Sequence, residues 1–446
     1  MSTIDRRTFL RRGAASGGAL AFAGPLQALA ANAAAGRPVR GQGYGRLVAM
    51  GELKLPRGFQ YRVISRAGRP MRDGNPTPGV FDGMAAFRGP GRTTVLIRNH
   101  ENRRLPGEVP VVVPADKRYD SDPSYNAGNT KLVVSPGRRV LESYAVLGGT
   151  STNCAGGRTP WDSWITCEEV FDQGQRPHGY AFEVSSRAIR PVLPQPIRGA
   201  GRFVHEAVAW LDGALYETED RPGNAALYRF VPGRRPRRAG DLAKAEGVLQ
   251  ALRVTDRPNA KTGRGWPVGE RFAVEWVTIE DPEPDSDADP LGVRFQAQAK
   301  GAAAFERQEG MWAARGRLFF DCTSGGAAGK GQVWMLDPRA RRLTLLYESP
   351  GAEQLDSPDN MAVVPATGDL MLCEDGSESQ FLRGLTGDGR IYPFAESVAN
   401  NSEFCGACFD PRGRTLFVNQ QGGRPDPLAV TYAIWGPWDR RRRPRR

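Results

Sequence analysis

Six short apolar runs in this 446-residue chain end in clusters of polar, mostly acidic residues. Val95–Ile97 leads into Asn99-His100-Glu101, Trp164-Ile165 into Cys167-Glu168-Glu169, and Leu215-Tyr216 into Thr218-Glu219-Asp220. Leu318–Phe320 leads into Asp321-Cys322-Thr323, Leu370–Leu372 into Cys373-Glu374-Asp375, and Leu416–Val418 into Asn419-Gln420-Gln421. A second marked residue precedes most of these ends by 13 to 16 positions: Cys154, Glu206, Glu309, Asp359 and Glu403. In the first case it is Asp82, 19 before Glu101. Carboxylates brought to one place repel each other and resist desolvation unless cations hold them. The chemistry to expect is therefore that of a metal site.

Positioning such groups requires a repeated strand unit. Glu168 to Glu219 spans 51 residues, as does Thr323 to Glu374, and Glu219 to Thr323 spans 104, about two such units. A strand-rich unit at this period indicates a propeller-type array. The 13-to-16-residue offset suits two antiparallel strands joined by a turn, such as Trp210-Leu211-Asp212-Gly213 before Ala214-Leu215. The chain holds 54 Gly and 35 Pro and shows no long helical periodicity. The expectation is all-β: a six-bladed β-propeller over residues 37–439 with a central-channel metal site and an insertion at about 233–300.

The net charge of +12 does not indicate a nucleic-acid protein. Residues 1–36 contribute +3 and the arginine tail 440–446 contributes +6, leaving +3 for the body, without an aromatic-interleaved basic stripe. Arg6-Arg7-Thr8-Phe9-Leu10 followed by small residues reads as a twin-arginine export signal over 1–36, and Ala28-Leu29-Ala30 as a cleavage site. The expected location is periplasmic or extracellular, with the twin-arginine translocase as partner during export. Pro25 and the many alanines argue against a transmembrane span. The tail is expected to be disordered and the protein a monomer.

Several motifs fail on inspection. Gly325 to Gly331 mimics a P-loop, but Gly331 stands where Ser or Thr is required and a strand follows. Asp285, Asp287 and Asp289 imitate an EF-hand opening, with Pro290 in the glycine position. There is no helical His-Glu-x-x-His and, in the mature chain, no Gly-x-Ser-x-Gly elbow. Six cysteines do not make a disulfide scaffold, and Cys405-Gly406-Ala407-Cys408 lacks the strand-then-helix setting of a redox motif. Cys154 sits in a glycine-rich turn among carboxylates, a soft ligand in a hard site, which suits iron better than calcium.

Asn153-Cys154-Ala155-Gly156-Gly157 running through Thr159-Pro160-Trp161 to Thr166-Cys167-Glu168-Glu169 resembles the hallmark of PhoX-type alkaline phosphatases. Gly201–Ala207, Thr218-Glu219-Asp220, Pro358-Asp359-Asn360, Cys373–Gly376 and Glu403–Gly406 resemble its later motifs. The sequence departs from the pattern at Asp162, where glycine is usual, and at Cys405 and Cys408, where small residues are usual. The resemblance implies a six-bladed propeller holding Fe3+ and Ca2+ in its channel. It places the metal ligands among Glu101, Cys154, Glu168, Glu169, Glu206, Glu219, Asp220, Glu309, Asp359, Asn360 and Glu374, with Cys154, Glu168 and Glu206 catalytic. The expected function is hydrolysis of small phosphate monoesters, and diesters beside them, by a metal-activated oxygen, since no Ser or Thr nucleophile is marked. A calcium-stabilised propeller that binds envelope polymers and a metal-dependent lactonase are the rivals. Iron held by Cys154 separates the first reading from both.

Overall fold

A computed structural model describes residues 43–423 and 429–440. The export signal expected at 1–36 and the tail beyond Arg440 lie outside these residues. Each acid-tipped run is a strand: Thr94–His100, Ser163–Glu168, Ala214–Glu219, Arg317–Cys322, Leu370–Glu374 and Thr415–Gln420. Each pairs antiparallel with the strand before it: Phe81–Arg88, Asn153–Arg158, His205–Leu211, Gln308–Ala314, Pro358–Val363 and Phe404–Phe409. These preceding strands are the inner ones. Every inner strand packs beside the next, and Phe404–Phe409 packs beside Phe81–Arg88, which closes the ring.

Among the described residues the sheets contain two, three, four, four, six and nine strands, arranged as in a propeller. The ring is fastened by two strands far apart in sequence. Gln60–Arg66 pairs with Val430–Trp435 as the outer strand of the last sheet. Such closure leaves few free strand edges and ties these two distant segments into one cooperative unit. The 233–300 stretch contains two strands, Gly247–Val254 and Arg271–Thr278, and a short helix, Val293–Ala299. Gly247–Val254 belongs to the sheet of Ala214–Glu219, and Arg271–Thr278 joins that sheet to the next through Arg342–Glu348. Added chain here cements two sheets rather than hanging from one.

Apolar residues of the middle strands, such as Phe320 and Trp334, fill the spaces between sheets together with Phe305 from the segment before Gln308–Ala314. Near the axis the inner strands approach too closely for side chains. A Cβ on Gly83 would sit 2.7 Å from Ala155 Cα, and one on Gly310 would sit 2.7 Å from Asp359 O. The small residue after each marked acid therefore has a packing reason. Asp162 takes φ 60° in the turn Arg158–Ser163, the left-handed conformation that glycine adopts freely and aspartate tolerates.

Strand direction sets the two ends of the molecule. Inner strands start at the acidic end and run away from it, second strands return, third strands leave and fourth strands return. The turns from first to second and from third to fourth strand thus lie at the end opposite the acids.

Candidate metal centre

The acidic end is built from two repeated devices. The first is a register irregularity near the start of every inner strand, between Phe81 and Met84, Asn153 and Gly156, His205 and Val208, Gln308 and Met311, Pro358 and Asn360, and Cys405 and Cys408. A bulge re-aims the extra residue. Five of the irregularities carry Asp82, Cys154, Glu206, Glu309 and Asp359; the sixth has Cys405 at its edge. The second device is the residue immediately after each second strand. Backbone N–H groups of Glu101, Glu169, Asp220, Thr323, Asp375 and Gln421 donate to Val80, Thr152, Val204, Arg307, Ser357 and Glu403 carbonyls respectively. The same bond recurs six times, so these residues occupy equivalent places.

Two overlapping groups converge. Ligand atoms of Cys154, Glu169 and Glu206 lie within 4.8 Å of one another, and so do those of Glu206, Glu309 and Asp359. Glu206 belongs to both. Glu101 accepts from Gln421 Nε2 at 2.7 Å and ion-pairs with Arg103 at 2.5 Å. Asp220 and Glu309 share Arg307, at 2.9 and 2.6 Å. Burial, with Glu169, Asp359 and Asp82 beside it, holds the Glu206 carboxyl well above the usual carboxylate range. Burial and Glu101 do the same for Asp82, and burial and Asp359 for Glu309 and Glu403. Asp359 is pushed up to about 6, again mainly by burial. Burial and Glu206 also raise the Cys154 thiol.

So many carboxylates with mutually raised pKa values want positive charge. Glu101 Oε1 and Glu309 Oε1 are buried and receive no hydrogen bond, only the guanidinium charge of Arg103 and Arg307. Orphaned buried oxygens, a thiol and carboxylates at mutual contact distance fit a site for more than one metal ion.

Not every expected ligand arrives there. Glu168 is the last strand residue, not the one after it, and neighbours on a strand point to opposite faces. Its carboxylate accepts from backbone N–H groups of Ser151, Gly179 and Tyr180 and meets His178 Nδ1 at 2.6 Å. Glu219 is held by Ala226 N, Tyr228 OH and Arg294, and Glu374 by Asp356 N and Arg383. These three fasten loops to strands. Burial raises both Glu219 and Glu374 to about 7. Asn360 lines a cavity of about 320 Å³ on the far side of the bulges with Met84, Met311 and Met361. Replacing Glu168 by alanine would strand three buried N–H groups and His178. The expected outcome is a loss of about 3 kcal/mol of stability in chemical denaturation, with metal content kept by the fraction that folds.

Asp375, Arg103 and Arg307 are not among the residues expected at the site, and Asp82 and Glu403, marked by the repeat, are not among the expected metal ligands. Asp375 was legible: it follows Glu374 as Glu169 follows Glu168 and Asp220 follows Glu219. The arginines had no such signal.

The sequence profile of the family "Alkaline phosphatase PhoX" matches residues 43–423. Among solved structures, that of Pseudomonas fluorescens PhoX in complex with vanadate, a transition state analogue, superposes with a TM-score of 0.65 at 18% identity. The match covers 90% of this chain and 98% of that one. A Thermus thermophilus putative oxidoreductase (glucose dehydrogenase) matches with a TM-score of 0.39 at 16% identity, over 84% of this chain and 100% of that one. No curated protein sequence matches.

Proposed function

Because the chain belongs to the PhoX alkaline phosphatase family and is by that membership a phosphoric ester hydrolase, we propose a six-bladed propeller that hydrolyses phosphate monoesters at a channel centre of Fe3+ and Ca2+. The observation that carries the reading is Glu206, shared between the thiol-containing group and the all-carboxylate group. The soft Cys154 group suits iron, and the oxygen-only group of Glu206, Glu309 and Asp359 suits calcium. Glu101 and Asp82 border the first group, and Glu403, Asp375 and Asp220 complete the rim of the second.

The ions, when bound, neutralise phosphate charge, activate an attacking oxygen and stabilise the leaving oxygen. The protein's own part is placement. Cys154 and Glu206 are the catalytic side chains, fixed by bulges that a closed ring prevents from relaxing. Glu168, expected as catalytic, acts as a positioning residue that ties the loop after its strand to His178 and Ser151. Arg307, partly exposed at the rim, holds Asp220 with its Nε–Nη2 edge and Glu309 with Nη2, and its remaining N–H donors suit phosphoryl oxygens. Arg103 does the same on the opposite side beside Glu101. The P. fluorescens complex with vanadate supports the same site class here. Export through the twin-arginine route, to the periplasm or outside the cell, rests on Arg6-Arg7 and the small residues that follow.

The test is metal analysis with p-nitrophenyl phosphate turnover on the exported protein, wild type beside Cys154→Ala. Near-stoichiometric iron with turnover, both lost in Cys154→Ala, is the expected outcome. A calcium-only protein inert toward phosphate esters would overturn the reading and favour a lactonase or a binding propeller.

A further inference from the structure

The end of the molecule opposite the carboxylates carries the reverse charge. Its turns expose Arg139, Arg190, Arg234, Arg341, Arg412 and Arg440, drawn from four of the sheets around the ring. None of these six has a carboxylate within ion-pair distance among the described residues. Several acids of the same end are already matched: Asp162 by Arg187, Asp212 by Arg339, Asp241 by Arg238 and Asp388 by Arg390. At the acidic end the situation is inverted, with Arg103 and Arg307 consumed by buried carboxylates. The protein is therefore a charge dipole along the ring axis.

The densest part of the basic end is the turn 233–246, where Arg234, Arg235, Arg237 and Arg238 fall within five residues and all are exposed. Its fold is defined rather than loose. Asp241 accepts from the backbone N–H groups of Arg237 and Arg238, and Gly240 N donates to Glu183 Oε2 of the neighbouring sheet at 2.8 Å. Beside it the turn after Ala181–Ser185 holds Ile189, 80% exposed between Arg187 and Arg190. Val231 and Val248, a cross-strand pair at the base of the arginine turn, are 36% and 44% exposed. Arginines alone would suit any polyanion. Arginines interleaved with exposed branched aliphatic side chains suit a surface that is anionic outside and apolar beneath.

We propose that this end docks on an anionic lipid bilayer, with the turns around Ile189 and Arg234 as the contact, so that the carboxylate-rich mouth faces away from the membrane. The orientation keeps the acidic mouth out of the negative surface potential and leaves it open to soluble substrates. The inference stands on charge and exposure and does not depend on the reaction proposed above.

The test uses metal-loaded, full-length protein and sedimentation with vesicles of phosphatidylcholine alone or mixed with phosphatidylglycerol. Binding is expected only to the phosphatidylglycerol vesicles, and raised salt should release it. The triple variant Arg234→Glu, Arg235→Glu, Arg237→Glu should lower partitioning at least about tenfold, even with the arginine tail intact. Ile189→Asn, which leaves the charge unchanged, should also lower it. Turnover of p-nitrophenyl phosphate should be unchanged in both variants, which shows that they fold. No sedimentation with anionic vesicles, or sedimentation indifferent to the triple variant, would overturn the proposal. Insensitivity to Ile189→Asn together with equal binding to soluble polyphosphate would assign the face to a polyanion and overturn the lipid assignment.

Discussion

Glu206→Gln is expected to reduce phosphate-ester turnover by about a thousandfold or more while leaving the fold in place. Among the described residues Glu206 is the one that belongs to both groups, so in the proposed centre its charge would serve two sites at once. Glutamine keeps the volume and fills the same 2%-exposed position, so packing is preserved. What goes is one negative charge and its ability to bridge. A loss of about 4 kcal/mol of transition-state stabilisation corresponds to roughly a thousandfold in rate. Metal analysis on the same sample should show loss from both groups, whereas Glu309→Gln should disturb the oxygen-only group first. Normal kcat/KM with a full metal complement in Glu206→Gln would remove Glu206 from the centre.

The second large effect is a pH dependence that appears only when metal is stripped. In the metal-free fold, Asp82, Glu169, Glu206, Glu309 and Glu403 are held well above the ordinary carboxylate range, mainly by burial and by one another. Asp359 is held at about 6. In the unfolded chain these groups titrate near 4. Folded protein thus binds more protons than unfolded protein from about pH 4 upward, and stability must fall as pH rises. The contribution is fully present below the unfolded value and is lost through the folded one, a window of about 4 to 6 for Asp359 and higher for the others. Each extra proton costs about 1.4 kcal/mol per pH unit across its window. Chelator-treated protein should therefore melt at least about 5 °C lower at pH 8 than at pH 5. Metal-loaded protein should show little of this slope, because bound cations replace the protons. Thermal melts of both forms across that range decide the matter. A metal-free protein that is more stable at pH 8 would refute the raised pKa values and the picture of a charge-frustrated centre.

Much of the site was readable because the fold repeats itself. Apolar runs capped by acids, each preceded by a second marked residue, announced hairpins whose ends meet, and the structure closes those hairpins into a ring. Glu101, Cys154, Glu169, Glu206, Glu309 and Asp359 do meet at one end of the axis, bordered by Asp220. What spacing could not settle was parity. Glu168 and Glu169 are equally acidic and adjacent, yet one serves a loop and the other the cluster. The choice turns on where the strand stops and its residues cease to pair, a one-residue matter that period alone leaves open. The same parity removes Glu219 and Glu374 and admits Asp375.

The sequence by itself determined the strand-rich repeat, the acids at its ends, the thiol at Cys154 and the likeness to the family, because composition and local periodicity act over a few residues. The tertiary structure alone decided which carboxylates share a cation's space, that Arg103 and Arg307 stand at the rim, and that the arginine turns gather at the opposite end. Those facts depend on closing the ring between Gln60–Arg66 and Val430–Trp435, a contact between segments more than 360 residues apart. No local rule encodes a distance that only closure creates.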